Sequence, residues 1–213
     1  MLITVRNNTE QDKIILTMLG FDIQKQKEYE VMKNTKKINT HQLTLIGVMA
    51  AVTCILGPLS LPIGIVPISI TNLAIYFSVY VLGQKRGTLS YIVYLLIGLI
   101  GLPVFSGFSG GFTKLFGPTG GYLIGFIFMA FISGIFIEKF SNKIFMCFLG
   151  MTLGTIVAYI FGTTWLAYQA NLTFKATLAV GVLPFIPGDV VKMVIASLIG
   201  PQIKKRLISA GLY

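Results

Sequence analysis

The chain has 213 residues, of which 54% are hydrophobic and 11% are charged, whereas a soluble domain has about 25% charged residues. This composition excludes an ordinary soluble domain and predicts an integral membrane protein. The net charge of +10 does not indicate nucleic-acid binding, because the basic residues alternate with long uncharged runs instead of forming one patch. With one histidine and two cysteines in the chain, we expect no metal site and no cofactor.

The N-terminal 41 residues are polar and contain five of the seven acidic residues. We expect residues 1–41 to form a cytoplasmic extension, residues 42–206 the membrane domain, and residues 207–213 a short cytoplasmic tail. The stretch "MKNTKKINTHQL", which begins at Met32, is typical of a bacterial start ahead of a first membrane helix. Two alternatives therefore remain for residues 1–31, a surface helix or a dispensable extension.

Beyond His41, uncharged runs long enough for spans of about 20 residues alternate with short charged or proline-rich segments. The sequence predicts an all-α bundle of six transmembrane helices, at residues 43–60, 66–83, 88–105, 119–138, 144–168 and 184–203. If the N-terminus is cytoplasmic, 14 of the 17 basic residues face the cytoplasm, and only Lys114 and Lys175 lie outside. Because lysine and arginine concentrate on the cytoplasmic side of membrane proteins, both termini are predicted to be cytoplasmic.

The first predicted span carries two small residues, Gly47 and Ala51, four positions apart on one helix face. Small residues let another helix approach closely. This face could serve packing within the chain or the docking of a separate membrane subunit, and the pattern alone does not choose between them.

Residues 98–126, "GLIGLPVFSGFSGGFTKLFGPTGGYLIGF", contain nine glycines and two prolines around one short loop. The pair Gly110 and Gly111 would let the backbone approach a ligand closely. The loop could be a tight extracellular connection or a cover that folds over a ligand. The segment "GFSG" at residues 107–110 matches the serine motif of intramembrane proteases. We exclude that chemistry, because it needs a histidine base and His41 is predicted to lie on the opposite side of the membrane.

Residues 163–171, "TTWLAYQAN", end the fifth predicted span and contain the only tryptophan, Trp165, with Tyr168 and Gln169 close by. Tryptophan is enriched at membrane interfaces, where it anchors a helix. Alternatively, Trp165 and Tyr168 form an apolar wall of a ligand site with ring edges that can form hydrogen bonds.

The last predicted span, within "LPFIPGDVVKMVIASLIGP" at residues 183–201, carries Asp189 and Lys192. Residues three positions apart share one face of a helix. The two charges could simply neutralise each other. We favour a functional role, because ionisable residues inside a membrane are rare and usually line a functional cavity.

Four segments together resemble the BioY family, the substrate-binding membrane subunits (S-components) of energy-coupling-factor (ECF) biotin transporters. They are "GLPVFSG", "GPTGGYLIGF", "WLAYQ" and "FIPGDVVK", in this order. The resemblance covers about residues 43–206 and implies a six-helix fold that holds the vitamin near the extracellular face. The acid and the lysine of the family's last helix fall on Asp189 and Lys192. Gly47 and Ala51 fall on the face that is expected to contact the ECF transmembrane coupling subunit, which binds two cytosolic ATPase subunits.

Three positions depart from the family pattern. Ser109 stands in place of a loop asparagine, Leu123 in place of an arginine in some members, and Thr71 in place of a glutamine. Each change removes a polar group that could contact the ligand. The resemblance implies biotin as the substrate. Because of these three departures, a related small carboxylate such as lipoate or a biotin precursor is the alternative.

The expected function is capture of biotin outside a bacterial cell and its delivery through an ATP-driven coupling module, with no covalent chemistry on this multi-pass chain. The candidate ligand-binding residues come from the second span, the glycine-rich loop, and the facing ends of the fifth and sixth spans: Asn72, Ser109, Gly110, Gly111, Lys114, Tyr122, Trp165, Tyr168, Gln169, Asp189 and Lys192.

In this interpretation Asp189 accepts ureido N–H groups, and Trp165 and Tyr168 pack against the bicycle. Either Lys192 or Lys114 meets the tail carboxylate or the ureido oxygen. A membrane enzyme is disfavoured, because acid–base catalysis needs two ionisable side chains close together, and the sequence does not predict such a pair of carboxylates. Asp189 and Glu138, the carboxylates outside the first 41 residues, are predicted to lie on opposite sides of the membrane.

Overall fold

The computed structural model describes residues 40–62, 65–141 and 143–211. The predicted N-terminal extension, residues 1–41, lies outside the described residues apart from its last two. The two alternatives for residues 1–31, a surface helix or a dispensable extension, also concern residues outside the described ranges. Residues 44–213 form one compact unit, to which the described strands and nearly all of the described helical residues belong.

The described helices are, in chain order, α1 Thr40–Leu56, α2 Thr71–Leu99, α3 Phe112–Leu115, α4 Gly120–Lys139, α5 Ile144–Ala170, α6 Phe174–Gly181 and α7 Ile186–Ser209. Two short strands, β1 Ser60–Leu61 and β2 Ile68–Ser69, pair antiparallel, with Ser60 opposite Ser69 and Leu61 opposite Ile68. The described residues are thus mostly helical, as the sequence predicts. The strand pair in the proline-rich connection after α1 was not predicted.

Three of the described helices, α4, α5 and α7, are long and apolar enough to cross a membrane, judged by length and composition. Helix α1 is also apolar but has only 17 residues. The apolar helices identify a membrane protein, and the number of spans remains a prediction.

Helix α2 contains most of the second and third predicted spans, but residues 66–70 and 100–105 of those spans lie outside it, and it is interrupted at Gly83. The backbone of Gly83 has φ 79° and ψ −179°, a conformation that glycine adopts without the steric cost that a side chain brings. The two halves of α2 pack against each other at Gly87. A Cβ placed on Gly87 would lie only 2.8 Å from the Cα of Val79. The carboxylate of Glu138 accepts a hydrogen bond from the backbone N–H of Gln84 at 2.8 Å and so caps the second half.

Helix α4 packs most extensively against α5 and then against α2. Small residues permit this close contact with α5. A Cβ on Gly125 would lie 2.9 Å from the Cα of Ala158, and one on Gly154 would lie 2.9 Å from the carbonyl oxygen of Met129. This packing fixes the start of α4 beside the C-terminal half of α5, close to the candidate site.

Helix α1 turns one face inward and another outward. Ile46, Ala50 and Thr53 are buried, and Ile46 belongs to an apolar cluster with residues of α2. Gly47 and Ala51 are exposed, and nothing lies within 4 Å of a Cβ placed on Gly47. The two small residues therefore lie on the outward face of α1.

The packing of the two halves of α2 predicts that Gly87→Ala lowers stability. The added methyl group would lie against the backbone of Val79, and overpacking typically costs about 1–3 kcal/mol. Thermal unfolding in detergent measures the effect. Gly47→Ala is the matched control, since it makes the same change in a helix with nothing nearby, and it should melt no lower than the parent. Equal melting temperatures for the two variants would contradict the hairpin packing.

Candidate functional site

A cavity of about 50 Å³ lies at the N-terminal end of α7. Its walls come from β2 and the residues just before it, the start of α2, the loop that follows α2, the start of α4, the middle of α5 and the start of α7. Segments far apart in sequence therefore converge on one site.

Asp189 is the centre of the hydrogen bonds in this cavity and is only 6% exposed. Its Oδ1 accepts a hydrogen bond from Nδ2 of Asn72 at 2.8 Å and lies 3.0 Å from Nζ of Lys192. Its Oδ2 accepts a hydrogen bond from the phenol of Tyr159 at 2.6 Å. The carboxylate thus has one cationic and two neutral donors, and hydrogen bonds to an ionised group are roughly twice as strong as neutral ones.

Lys192 connects this helix to the strand pair. Its Nζ donates to the carbonyl oxygen of Ser69 at 2.6 Å and to Oδ1 of Asp189 at 3.0 Å. An ammonium group has three N–H donors, so these two bonds leave one donor for another acceptor. The pair Asp189 and Lys192 is electrically balanced and still has hydrogen-bonding capacity.

Local sequence explains why the acid occupies this position. Proline lies in the first turn of α7, where its missing N–H costs nothing, and Asp189 lies in the same turn. A carboxylate near a helix N-terminus is stabilised by the helix dipole. The spacing of three residues then brings Lys192 onto the same face.

Four of the predicted ligand-binding residues line the cavity: Asn72, Tyr122, Asp189 and Lys192. The phenol of Tyr122 donates to the carbonyl oxygen of Gly181 at 2.8 Å and so connects the start of α4 to the end of α6. The side-chain amide of Asn72 donates a hydrogen bond to the carboxylate of Asp189.

Three predicted residues at the end of α5 do not line the cavity. The indole N–H of Trp165 donates to the carbonyl oxygen of Gly117 at 2.9 Å, and Nε2 of Gln169 donates to that of Phe116 at 2.8 Å. Through these bonds both side chains anchor the backbone of residues 116 and 117, which lead into α4. Tyr168 is 80% exposed, so the structure does not bring it to Asp189.

The predicted residues of the glycine-rich loop also lie outside the cavity lining. The hydroxyl of Ser109 donates to the carbonyl oxygen of Ser106 at 2.8 Å, and Ser106 itself lines the cavity. Gly110 packs against the carbonyl of Leu102, and Gly111 has φ 83°. The remaining residue of this group is the lysine of α3, Lys114, and burial lowers the pKa of its ammonium group.

The phenol of Tyr159, which donates to Asp189, was not predicted from the sequence. Tyr159 lies in the middle of α5, where an uncharged tyrosine gives no sign of a polar partner. The aromatic wall of the cavity, which includes Phe126 of α4 and Phe185 before α7, was not predicted either. The sequence at the end of α5 predicted an apolar wall from Trp165 and Tyr168 instead.

A second, apolar groove of about 510 Å³ lies among α5, α6 and α7. Tyr159 and Asp189 line both the groove and the smaller cavity. The groove otherwise has mainly aliphatic walls, which include Ile156, Leu178 and Val190. Among the described residues, no group of three or more histidine, cysteine, aspartate or glutamate side chains could hold a metal ion.

The apolar helices and the buried charge pair define the class of the protein as a helical membrane protein with a charged cavity. The model of the BioY family matches residues 31–209. The chain belongs to the BioY family, which confirms the resemblance found in the sequence.

Relatives and a solved structure agree with this assignment. The chain is 39% identical to the biotin transporter BioY of Thermotoga maritima, over 77% of this chain and 96% of that protein. It is 32% identical to the biotin transporter BioY2 of Lactococcus lactis, over 85% and 98%. It is also similar to the crystal structure of the S-component for biotin from an ECF-type ABC transporter, with a TM-score of 0.73 and 35% identity. That match covers 80% of this chain and 94% of the other.

The charge pair predicts a pattern of stabilities. Lys192→Met leaves a buried carboxylate without its cation, and breaking a buried pair typically costs about 3–5 kcal/mol. Tyr159→Phe removes one hydrogen bond to the carboxylate and should cost about 1.5–3 kcal/mol. The double variant Asp189→Asn with Lys192→Met removes both charges and should melt higher than Lys192→Met alone. Thermal unfolding in detergent measures these three variants and the single variant Asp189→Asn, and strictly additive effects of the two charge substitutions would contradict the coupling.

Proposed function

We propose that this chain is the biotin-binding S-component of an ECF-type vitamin transporter in a bacterial cell membrane. The observation that carries the proposal is the pair Asp189 and Lys192, buried in a cavity of a BioY-family chain. Further support comes from relatives that are named biotin transporters and from the similarity to the S-component for biotin. The chain captures biotin outside the cell and hands it to an ATP-driven coupling module.

The hydrogen bonds at Asp189 suit the ureido ring of biotin, which has two N–H donors and one carbonyl. Oδ2 of Asp189 accepts only the bond from Tyr159, so it can accept a ureido N–H as well. Lys192 has an N–H donor left for the ureido oxygen. Phe126 and Phe185 provide apolar faces for the bicycle.

Binding requires the cavity to enlarge, because about 50 Å³ is far below the roughly 300–1,000 Å³ of small-molecule sites. We propose that the glycine-rich loop moves outward to admit the ligand and then closes over it. Ser109, Gly110, Gly111 and Lys114 would contact the ligand in that closed state. Trp165 holds the hinge end of this loop by its bond to the carbonyl before α4.

The proposed topology has six spans with both termini in the cytoplasm, the membrane domain being residues 42–206. The interruption of α2 at Gly83 supports two antiparallel spans. Lys85 and Arg86 follow this turn, as expected of a cytoplasmic connection. Glu138 at the end of α4 bonds to Gln84 beside the same turn, so the end of α4 lies on that side too.

The proposed partner surface is the outward face of α1 at Gly47 and Ala51. Both residues are exposed, and small side chains permit close approach of another helix. By analogy with the family, the partner is the ECF transmembrane coupling subunit, which binds two cytosolic ATPase subunits.

The central test is calorimetric titration of biotin into the parent, Asp189→Asn and Ser109→Ala in detergent, with melting temperatures as the control for folding. Asparagine offers donors where an acceptor is needed, so Asp189→Asn should raise the dissociation constant at least tenfold, or about 1.4 kcal/mol. Ser109→Ala removes one neutral hydrogen bond, worth about 0.5–1.5 kcal/mol, and should have the smaller effect. A folded Asp189→Asn variant that binds biotin within threefold of the parent would show that the acid is structural.

The same titration separates biotin from the alternative substrates. Lipoate lacks the ureido ring, so it cannot use both Asp189 and Lys192, and it should bind the parent at least tenfold more weakly than biotin. Tighter binding of lipoate or of a biotin precursor than of biotin would favour the alternative.

The partner surface predicts that Gly47→Leu and Ala51→Leu block association with the coupling subunit and leave biotin affinity unchanged. Leucine on a small-residue face prevents close helix approach. Co-purification with a tagged coupling subunit measures association. Leu153→Phe enlarges an exposed side chain on α5 and serves as the control. Normal co-purification of both leucine variants would place the interface elsewhere.

A further inference from the structure

The apolar groove among α5, α6 and α7 opens on the outer surface of the helices. The exposed aliphatic side chains of Ile156, Ile160 and Val190 line it. Helices α5 and α7 are two of the three described helices that are long and apolar enough to cross a membrane. The groove is therefore continuous with the surface that these two helices present to lipid.

The groove offers few hydrogen-bonding groups to water, although four threonines line it. The hydroxyls of Thr152, Thr155 and Thr164 donate to backbone carbonyls one turn earlier on α5. The hydroxyl of Thr163 is itself buried. An ordered buried water needs roughly two to four polar partners, so the groove is suited to hydrocarbon rather than to water.

The length of the groove matches one lipid tail. Along α5 its lining runs from Thr152 to Thr164, which is about 18 Å because a helix rises about 1.5 Å per residue. One leaflet contributes about half of the roughly 30 Å hydrocarbon core of a bilayer. The lining also includes Phe174 at the start of α6, just after α5 ends. A chain that fits the groove therefore belongs to the leaflet in which α5 ends.

We propose that one acyl chain of a membrane phospholipid occupies this groove and forms the membrane-side wall of the Asp189 site. Tyr159 and Asp189 line both the groove and the smaller cavity. Water in the groove would compete for their hydrogen bond, whereas a hydrocarbon chain keeps this bond in a medium of low dielectric constant, where it is stronger. The lipid chain also gives the aliphatic walls the contacts that an empty groove would lack. The lipid site is independent of which small molecule the cavity binds.

Native mass spectrometry of the full chain, delipidated in detergent and titrated with dioleoylphosphatidylcholine, measures the binding of the first lipid. Val190→Phe and Leu178→Trp place larger side chains in the groove. Each should raise the dissociation constant of that lipid about tenfold, or about 1.4 kcal/mol. Leu153→Phe is the matched control, since it enlarges an exposed side chain of α5 that does not line the groove, and it should stay within about threefold of the parent.

The headgroup should matter little, because the groove contacts the acyl chain. Dioleoylphosphatidylglycerol has the same chains and a different headgroup, and it should bind the parent within about threefold of the phosphatidylcholine. Melting temperatures of every variant control for folding.

Photocrosslinking in liposomes locates the lipid on the parent chain and does not depend on the folding of any variant. The probe is a phosphatidylcholine with a diazirine in one acyl chain. It should label Ile156, Ile160 and Val190 more strongly than Phe128 of α4. Phe128 is also exposed, and its ring stacks on Phe161 of α5, so it lies at a comparable depth in the membrane.

Four results would overturn the proposal. Unchanged affinity for the first lipid in folded Val190→Phe and Leu178→Trp would place that lipid elsewhere. Equal labelling of Phe128 and the groove residues would show only the ordinary lipid annulus. A strong preference for one headgroup would show that the chain is not what is recognised. A dimer of the parent in place of a lipid-bound monomer would assign the groove to a second copy of the chain.

Discussion

A carboxylate buried at the start of a membrane helix determines much of this architecture. An isolated charge in such a position is expensive, and it persists only with paired donors. Asp189 obtains them from Lys192 on its own helix, Asn72 on α2 and Tyr159 on α5. Because the carboxylate needs all three, the starts of α2 and α7 and the middle of α5 must meet at one point. The strand pair is held at the same point, because Lys192 also donates a hydrogen bond to the carbonyl oxygen of Ser69 in β2.

The rest of the fold holds these elements in place. Glycines in the interface of α4 and α5 bring their backbones close, which places the N-terminus of α4 beside the C-terminal half of α5. Trp165 and Gln169 then fix the segment before α4 through two backbone carbonyls. The cavity is therefore bounded by helix ends on one side and by the loop after α2 on the other. Backbone hydrogen bonds hold this loop, among them the pair between Phe105 and Ser109 and the bond from the N–H of Gly111 to the carbonyl of Gly98.

The sequence predicted the features that depend on local patterns. Long apolar runs indicated the helices α4, α5 and α7. The spacing of Asp189 and Lys192 indicated one shared helix face, and on that face the structure pairs the two side chains. The sequence could not predict the contacts that depend on tertiary structure. Tyr159 is 30 residues from Asp189 and carries no charge that would identify it as a partner. Trp165 could have turned its indole toward a ligand or toward the backbone, and no local pattern decides between these orientations.

Glycine positions show the same division between local and tertiary information. The charges at Lys85 and Arg86 indicated a connection between two spans, but they did not identify Gly83 as the residue where the helix is interrupted. Thr119 would have been assigned as an ordinary helix cap from sequence. Only the structure shows that its hydroxyl makes no capping bond and that Thr119 is one of the residues that line the cavity.

The most direct measurement of the central claim is mass spectrometry of the small molecule released from the protein after expression in medium that contains biotin, lipoate and biotin precursors. The account predicts that denaturation releases biotin at close to one molecule per chain, and that Asp189→Asn protein of equal melting temperature releases much less. Release of lipoate or another small molecule in that amount, with biotin absent, would contradict the account.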